Sequence, residues 1–188
     1  MIRKILLKPL LHLLYLSLGC CSLSSTSWAK SLALSFDDGL NPAVDAHAGQ
    51  INQQILATLQ QHQLHAIVYP SLSKIGATAG FALIEQWGQH GHSIGNHGKL
   101  HLNLHHASVT LEQYLQDITD GHQAFSQLHG FVPRFRFPYL KEGNTAEKRA
   151  GVQAWLNQHQ YQSGAVSIDA SDFGFIISYF YATSKHTI

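Results

Sequence analysis

Residues 31–39 read Ser31-Leu32-Ala33-Leu34-Ser35-Phe36-Asp37-Asp38-Gly39. A short apolar run, Ser31–Phe36, breaks into two adjacent carboxylates and then a glycine. The run predicts a strand, and the acidic turn after it is where a parallel α/β protein places its chemistry. Downstream, Ile51, Ile55, Leu56 and Leu59 recur at helical spacing, and Ala66–Tyr69 reads as a second strand. Phe81, Ile84 and Trp87 mark a second helix, ended by Gly91, and His92–Gly95 a short third strand. Leu111, Tyr114, Leu115, Ile118, Phe125 and Leu128 mark a long helix. Thr110 and Gln113 form a capping box at its start, and Gly130 is the expected stop. Arg134–Tyr139 reads as a fourth strand, Ala146–Gln158 as a helix and Ala165–Ile168 as a fifth strand. Alternation of this kind predicts an α/β fold built on a parallel sheet or barrel.

Composition narrows the function classes. A chain of 188 residues suits one domain and can bury a sizeable core. Lys+Arg number 12 and Asp+Glu 11, a net charge of +1, which leaves no electrostatic footprint for nucleic acid. A hydrophobic content of 45% excludes a disordered chain. The 14 histidines outnumber the residues of either charge.

Residues 1–29 read as a secretory signal, which predicts export to the periplasm or the outside. Arg3, Lys4 and Lys8 precede an apolar run from Leu10 to Leu18, and Ser27-Trp28-Ala29 is a small-x-small cleavage site. The run is short of the roughly 20 residues that span a bilayer. Ser17-Leu18-Gly19-Cys20 offers a weaker alternative, a lipoprotein signal with a lipid anchor through Cys20. With plain cleavage the mature chain has no cysteine, so any metal must sit on histidine and carboxylate.

The residues able to carry chemistry gather at the predicted strand ends. Asp37 and Asp38 follow the first, His97 the third, Arg136–Tyr139 the fourth, and Asp169 and Asp172 the fifth. His97 and His101 are four apart, so on a helical turn both rings would face one metal. Among 14 histidines such a pair also arises by chance, and His101 with His105 makes another. The two aspartates are either a solvated turn or a pair dividing labour, one binding a cation and the other taking a proton. Two histidines and one carboxylate leave positions open on a metal for water and substrate. Arg136 is either one cation on an amphipathic strand or the group that holds a catalytic aspartate ionised and oriented.

Taken together, these residues resemble the polysaccharide deacetylases, carbohydrate esterase family four. Ser35–Gly39 is similar to the family's Thr/Ser-Phe-Asp-Asp-Gly motif, and Gly95–His101 to its Gly-Asn-His-(Ser/Thr)-x-x-His. Arg136–Tyr139 is similar to its Arg-x-Pro-Tyr, and Asp169–Phe173 to its Asp-x-x-Asp-Trp. The resemblance implies a distorted (β/α) barrel, a divalent metal (usually zinc), and removal of acetyl groups from an acetylated glycan or oligosaccharide. It implies that Asp38, His97 and His101 hold the metal and that Asp37 is the general base. Arg136 would hold Asp37, and the backbone N–H of Tyr139 would help to stabilise the oxyanion. Asp172 would orient the general acid, while His92, His105 and His106 match no motif position.

Departures from the pattern accompany the match. Gly98 stands where the family has Ser or Thr bracing the ligand loop, Leu140 where it has Gly, and Phe173 where it has Trp. The family's Leu-x-His, which supplies the general acid, has no counterpart after Asp172: Ser184 stands two residues before His186, where the motif has Leu. The expected organisation is a leader over 1–29, a deacetylase-like domain over 30–172 and a non-family tail over 173–188. That expectation includes a barrel incomplete at its C-terminus and weak or no activity. The alternative is an inactive metal- or glycan-binding remnant. A shifted reading frame after Asp172 would restore Trp at the next position, which suggests that a small insertion or deletion produced the tail.

Overall fold

The structure is a computed structural model, and it describes residues 32–170. The expectations for the leader, for Asp172 and for the tail lie outside those residues. Five strands form one parallel sheet in the order β1-β2-β3-β4-β5: β1 (Leu34–Asp38), β2 (Ala66–Pro70), β3 (Ser93–Asn96), β4 (Phe131–Phe135) and β5 (Gln162–Ser163). Four helices connect them: α1 (Ala48–Gln61), α2 (Thr78–Gln89), α3 (Leu111–Phe125) and α4 (Ala146–Gln158). Strand order follows chain order without reversal. A doubly wound sheet reverses, whereas a barrel wall does not. The described residues therefore form a five-strand arc of α/β barrel type, with β1 and β5 as its edges. None of the described helices is long and apolar enough to cross a membrane.

Local sequence explains the elements. β2 is Ala66-Ile67-Val68-Tyr69-Pro70, buried along almost its whole length, as a strand covered on both faces must be. β1, at the edge, alternates between half-buried and exposed residues. α1 buries Ala48, Asn52, Leu56 and Leu59, and α3 buries Tyr114, Asp117, Ile118, Gly121 and Phe125, each set on one helical face. The Thr110–Gln113 capping box forms as expected, with Gln113 N–H donating to Thr110 Oγ1 and Thr110 N–H to Gln113 Oε1. One apolar cluster (Leu56, Val68, Ile84, Trp87, Ile94 and Phe125 among others) fills the space beneath β1–β3. A second gathers Leu104, Tyr114, Ile118, Phe135, Val152 and Leu156 around α3, α4 and β4. Each fully buried large apolar side chain contributes roughly 1.5–3 kcal/mol. Asn52 is buried at the first cluster's edge, where it accepts from Trp87 Nε1 at 2.9 Å and donates to Gln86 Oε1 at 2.9 Å, tying α1 to α2.

Several boundaries differ from the sequence reading. The fourth strand is Phe131–Phe135 rather than Arg134–Tyr139. Pro138 has no N–H to give a ladder, and Tyr139 and Leu140 adopt φ of 58° and 54°, so Pro138–Leu140 coil into a short 3-10 turn. The fifth strand is Gln162–Ser163 rather than Ala165–Ile168, and Ile168 is exposed. α3 ends at Phe125 with Ser126 as its cap, four residues before the expected stop. Gly130, at φ 85°, instead forms the turn into β4, with Phe131 N–H bonded to Leu128 O. The first strand starts and ends later than expected and takes in both Asp37 and Asp38.

Candidate metal centre

The C-terminal ends of β1, β3 and β4 bring the expected side chains together. Backbone bonds continue the sheet past the strands and set their heights. Ser71 N–H donates to Asp38 O, His97 N–H to Pro70 O, and Arg136 N–H to Asn96 O. Asp38, His97 and His101 meet there, each offering one ligand atom, all within 4.8 Å of one another. His101 Nε2 lies 3.0 Å from Asp38 Oδ1, and His97 Nε2 lies 3.6 Å from the same oxygen.

The histidine pair arises differently from the helical turn expected. His97 sits just past β3, and the chain then loops through Gly98 at φ 78° and His101 at φ 58°. A sharp loop, not a helix, turns the two rings inward, with centroids 4.9 Å apart. The two residues four apart do come together, but through a loop rather than a helical turn.

The donor set fits a divalent cation. Asp38 Oδ1 is buried and receives no aligned hydrogen bond, although two imidazole nitrogens point at it. A buried carboxylate oxygen without a donor is costly, and a cation held among these three atoms satisfies it. His97 Nδ1 bonds to Arg136 O at 2.7 Å, so this nitrogen carries the proton and Nε2 keeps its lone pair for a metal. Burial lowers the His97 pKa to about 4, against the opposing effect of that hydrogen bond. Its ring is therefore neutral near pH 7, as a ligand must be. Burial pushes the Asp38 carboxyl up, but the His101 hydrogen-bonding approach and the charges of His101, His97 and Lys74 bring it below the usual carboxylate value.

Arg136 is buried at 5% exposure, and its whole fork is used. Nη1 bonds both oxygens of Asp37 at 2.9 and 3.1 Å, Nη2 bonds Ser35 Oγ at 3.1 Å, and Nε bonds Gly164 O. Its guanidinium also stacks 4.5 Å over the Tyr69 ring. Asp37 and Asp38 are successive strand residues and so point to opposite sides: one faces Arg136, the other the histidines. The Tyr139 ring, more than half exposed, lies edge-on to His101 with centroids 4.6 Å apart. In the turn around it, Leu140 N–H bonds Phe137 O and Lys141 N–H bonds Pro138 O. Asp169 is exposed beyond β5. Sequence reading missed Ser35, Tyr69 and Gly164 as partners of Arg136. Only the alternation of β1, with Ser35 two residues before Asp37, carried a signal for any of them.

A family model described as polysaccharide deacetylase matches residues 25–155. No curated protein matches. Among solved structures, similar chains include BA3943, described as a CE4 family pseudoenzyme from Bacillus anthracis, at 14% identity and a TM-score of 0.54. That match covers 72% of this chain and 43% of that one. A mutant of BA3943 matches at 15% identity, and another, described as having restored enzymatic activity, at 14%. Each of these two has a TM-score of 0.54 and covers 72% of this chain and 44% of that chain. The present chain thus spans less than half the length of these proteins, and at such identity the likeness concerns the fold.

Proposed function

The chain belongs to the polysaccharide deacetylase family, and from that premise we propose that it is a metal-dependent hydrolase that removes acetyl groups from an acetylated glycan. The observation that carries the reading is the meeting of Asp38, His97 and His101 around an otherwise unsatisfied carboxylate oxygen, one residue from an aspartate clamped by Arg136. Asp38, His97 and His101 would hold a divalent ion there, which when bound would supply Lewis-acid polarisation of the acetyl carbonyl and of the attacking water. Zinc suits two imidazoles and one carboxylate, with positions left open for substrate.

The remaining steps belong to the chain's own side chains. Asp37, with both oxygens held by one guanidinium nitrogen, takes the proton from the water as it attacks. Arg136 keeps that carboxylate in one orientation, fixed in turn by Ser35, Gly164 and the Tyr69 ring. The Tyr139 N–H, presented by the 3-10 turn after β4, donates to the developing oxyanion. From the resemblance alone, Asp172 would orient a general acid; no Leu-x-His supplies that acid among residues 173–188, so the leaving group must take its proton from water and turnover is expected to be weak. The leader over 1–29 directs export in this reading, with a lipid anchor at Cys20 as the variant case.

A second reading, a metal- or glycan-binding protein without turnover, is favoured by one observation. Gly98, Leu140 and Phe173 depart from the family motifs around an otherwise matching metal set. Acetate release from acetylated chito- or xylo-oligosaccharides, measured with and without chelator, tests the proposal. Release that stops with chelator and with Asp37→Asn supports hydrolysis. Metal binding without any release supports the second reading.

A further inference from the structure

The ligand loop lies between the α3 face and the chain after β2, where Leu72 N–H donates to Gly98 O and Ser73 N–H to Lys99 O, and at residue 98 the helix takes the place of a side chain. Asn96, Lys99 and Leu100 are each bonded to α3. Asn96 Nδ2 donates to Ile118 O at 2.9 Å, while Asn96 Oδ1 accepts from Gly98 N–H at 2.9 Å. Lys99 N–H donates to Asp117 O at 3.2 Å, and Lys99 Nζ pairs with Asp120 at 2.9 Å. Leu100 N–H donates to Asp117 Oδ1 at 2.6 Å. Asp117 is buried at 4% exposure in the middle of the helix, an expensive place for a carboxylate unless it is bonded.

Gly98 and Asp117 occupy one space between them. A Cβ on residue 98 would stand 2.2 Å from Asp117 Oδ2, and the φ of 78° there disfavours any other residue. Gly121 matches this from the helix side: a Cβ there would stand 2.3 Å from Asn96 Oδ1. Loop and helix backbones therefore come close at Gly98 and Gly121, where the Asn96 and Asp117 side chains fill the space between them. The bond to Leu100 N–H falls one residue before His101, whose φ of 58° is strained for a histidine and persists only where its neighbours over-determine it.

We infer that Asp117 is a positioning residue for the metal site, and that its carboxylate fixes the Gly98–His101 loop in place of a brace from residue 98. This inference rests on the metal reading given above. It explains how a glycine can stand at the position where the family resemblance leads one to expect a hydroxyl. The brace has moved from the loop to the helix, and the glycine makes room for it.

The test is metal affinity of the full chain, measured with Zn²⁺ by chelator competition, alongside the Co²⁺ absorption spectrum and the melting temperature of the metal-free protein. Asp117→Ala is expected to weaken Zn²⁺ binding about 10-fold or more, the usual cost of losing a group that orients a histidine ligand. Its Co²⁺ spectrum should change as His101 loses its orientation. Asp117→Asn keeps an oxygen for Leu100 N–H, is expected to fold, and should weaken binding by a smaller factor. Gly98→Ser should weaken binding in the parent chain but cost less in the Asp117→Ala background, where the colliding oxygen is gone. Wild-type affinity and an unchanged Co²⁺ spectrum in Asp117→Asn and in whatever Asp117→Ala protein folds would overturn the inference, even if the melting temperature falls. A parent chain that binds no metal would refute the metal reading itself, and the inference with it.

Discussion

Acid should destabilise the metal-free protein through one histidine. His97 is almost fully buried, and its pKa is lowered from 6.5 to about 4, first by burial. In the unfolded chain its imidazole takes a proton near pH 6.5, whereas in the folded chain it resists until about pH 4. The unfolded state therefore binds more protons between those values, and stability falls as pH falls through that window. His97's contribution is fully present above about pH 6.5 and lost by about pH 4. Linkage across 2.5 pH units gives about 3 kcal/mol in total, of which about 2 kcal/mol is gone by pH 5. Asp38, His101 and Arg136 lie against its ring, so the parent chain must be compared with His97→Gln, which keeps an amide donor for Arg136 O and cannot protonate. Urea unfolding in the presence of chelator at pH 7.5 and pH 5 measures both. The parent should lose about 2 kcal/mol more than the variant over that interval. Equal losses would refute the assignment of His97 as a buried neutral ring.

Other perturbations have equally definite outcomes. Arg136→Met removes the bonds to Asp37, Ser35 and Gly164, and should cost about 2–3 kcal/mol, toward the lower end because Asp37 keeps some water; calorimetric melting measures it, and acetate release should fall with it. Gly88→Ala would place a Cβ 1.8 Å from His129 O, where α2 meets the turn before β4, so a loss of about 1–3 kcal/mol is expected in urea unfolding. Thr110→Ala breaks the capping box of α3 and should cost about 1 kcal/mol by the same assay.

How much of this was legible in the sequence depends on the kind of signal. Period and capping were local, and they succeeded: α4 spans Ala146–Gln158 as read, and the box at Thr110 opens α3. The errors fell where backbone geometry overrode side-chain pattern. Arg134–Tyr139 alternates like a strand, but Pro138 and the left-handed residues after it turn the chain away from the sheet. Gly130 looked like a helix stop because glycine with positive φ serves both helix ends and strand-entry turns. In the candidate site, Asp37, Asp38, His97, His101 and Arg136 were singled out from the sequence and lie together in the fold, since the parallel topology gathers strand ends. Asp117 was not, because a carboxylate at a helical interior position looks like an ordinary solvated residue until the loop is folded against it. Gly98 gave the only hint, as a brace that was missing from the loop.

Metal content decides whether Asp38, His97 and His101 form a binding site. The purified chain, loaded with Zn²⁺ and freed of excess, should retain about one ion per chain by elemental analysis, and the His97→Ala/His101→Ala double variant should retain none while keeping its far-ultraviolet circular dichroism. A double variant that holds as much metal as the parent would contradict the site.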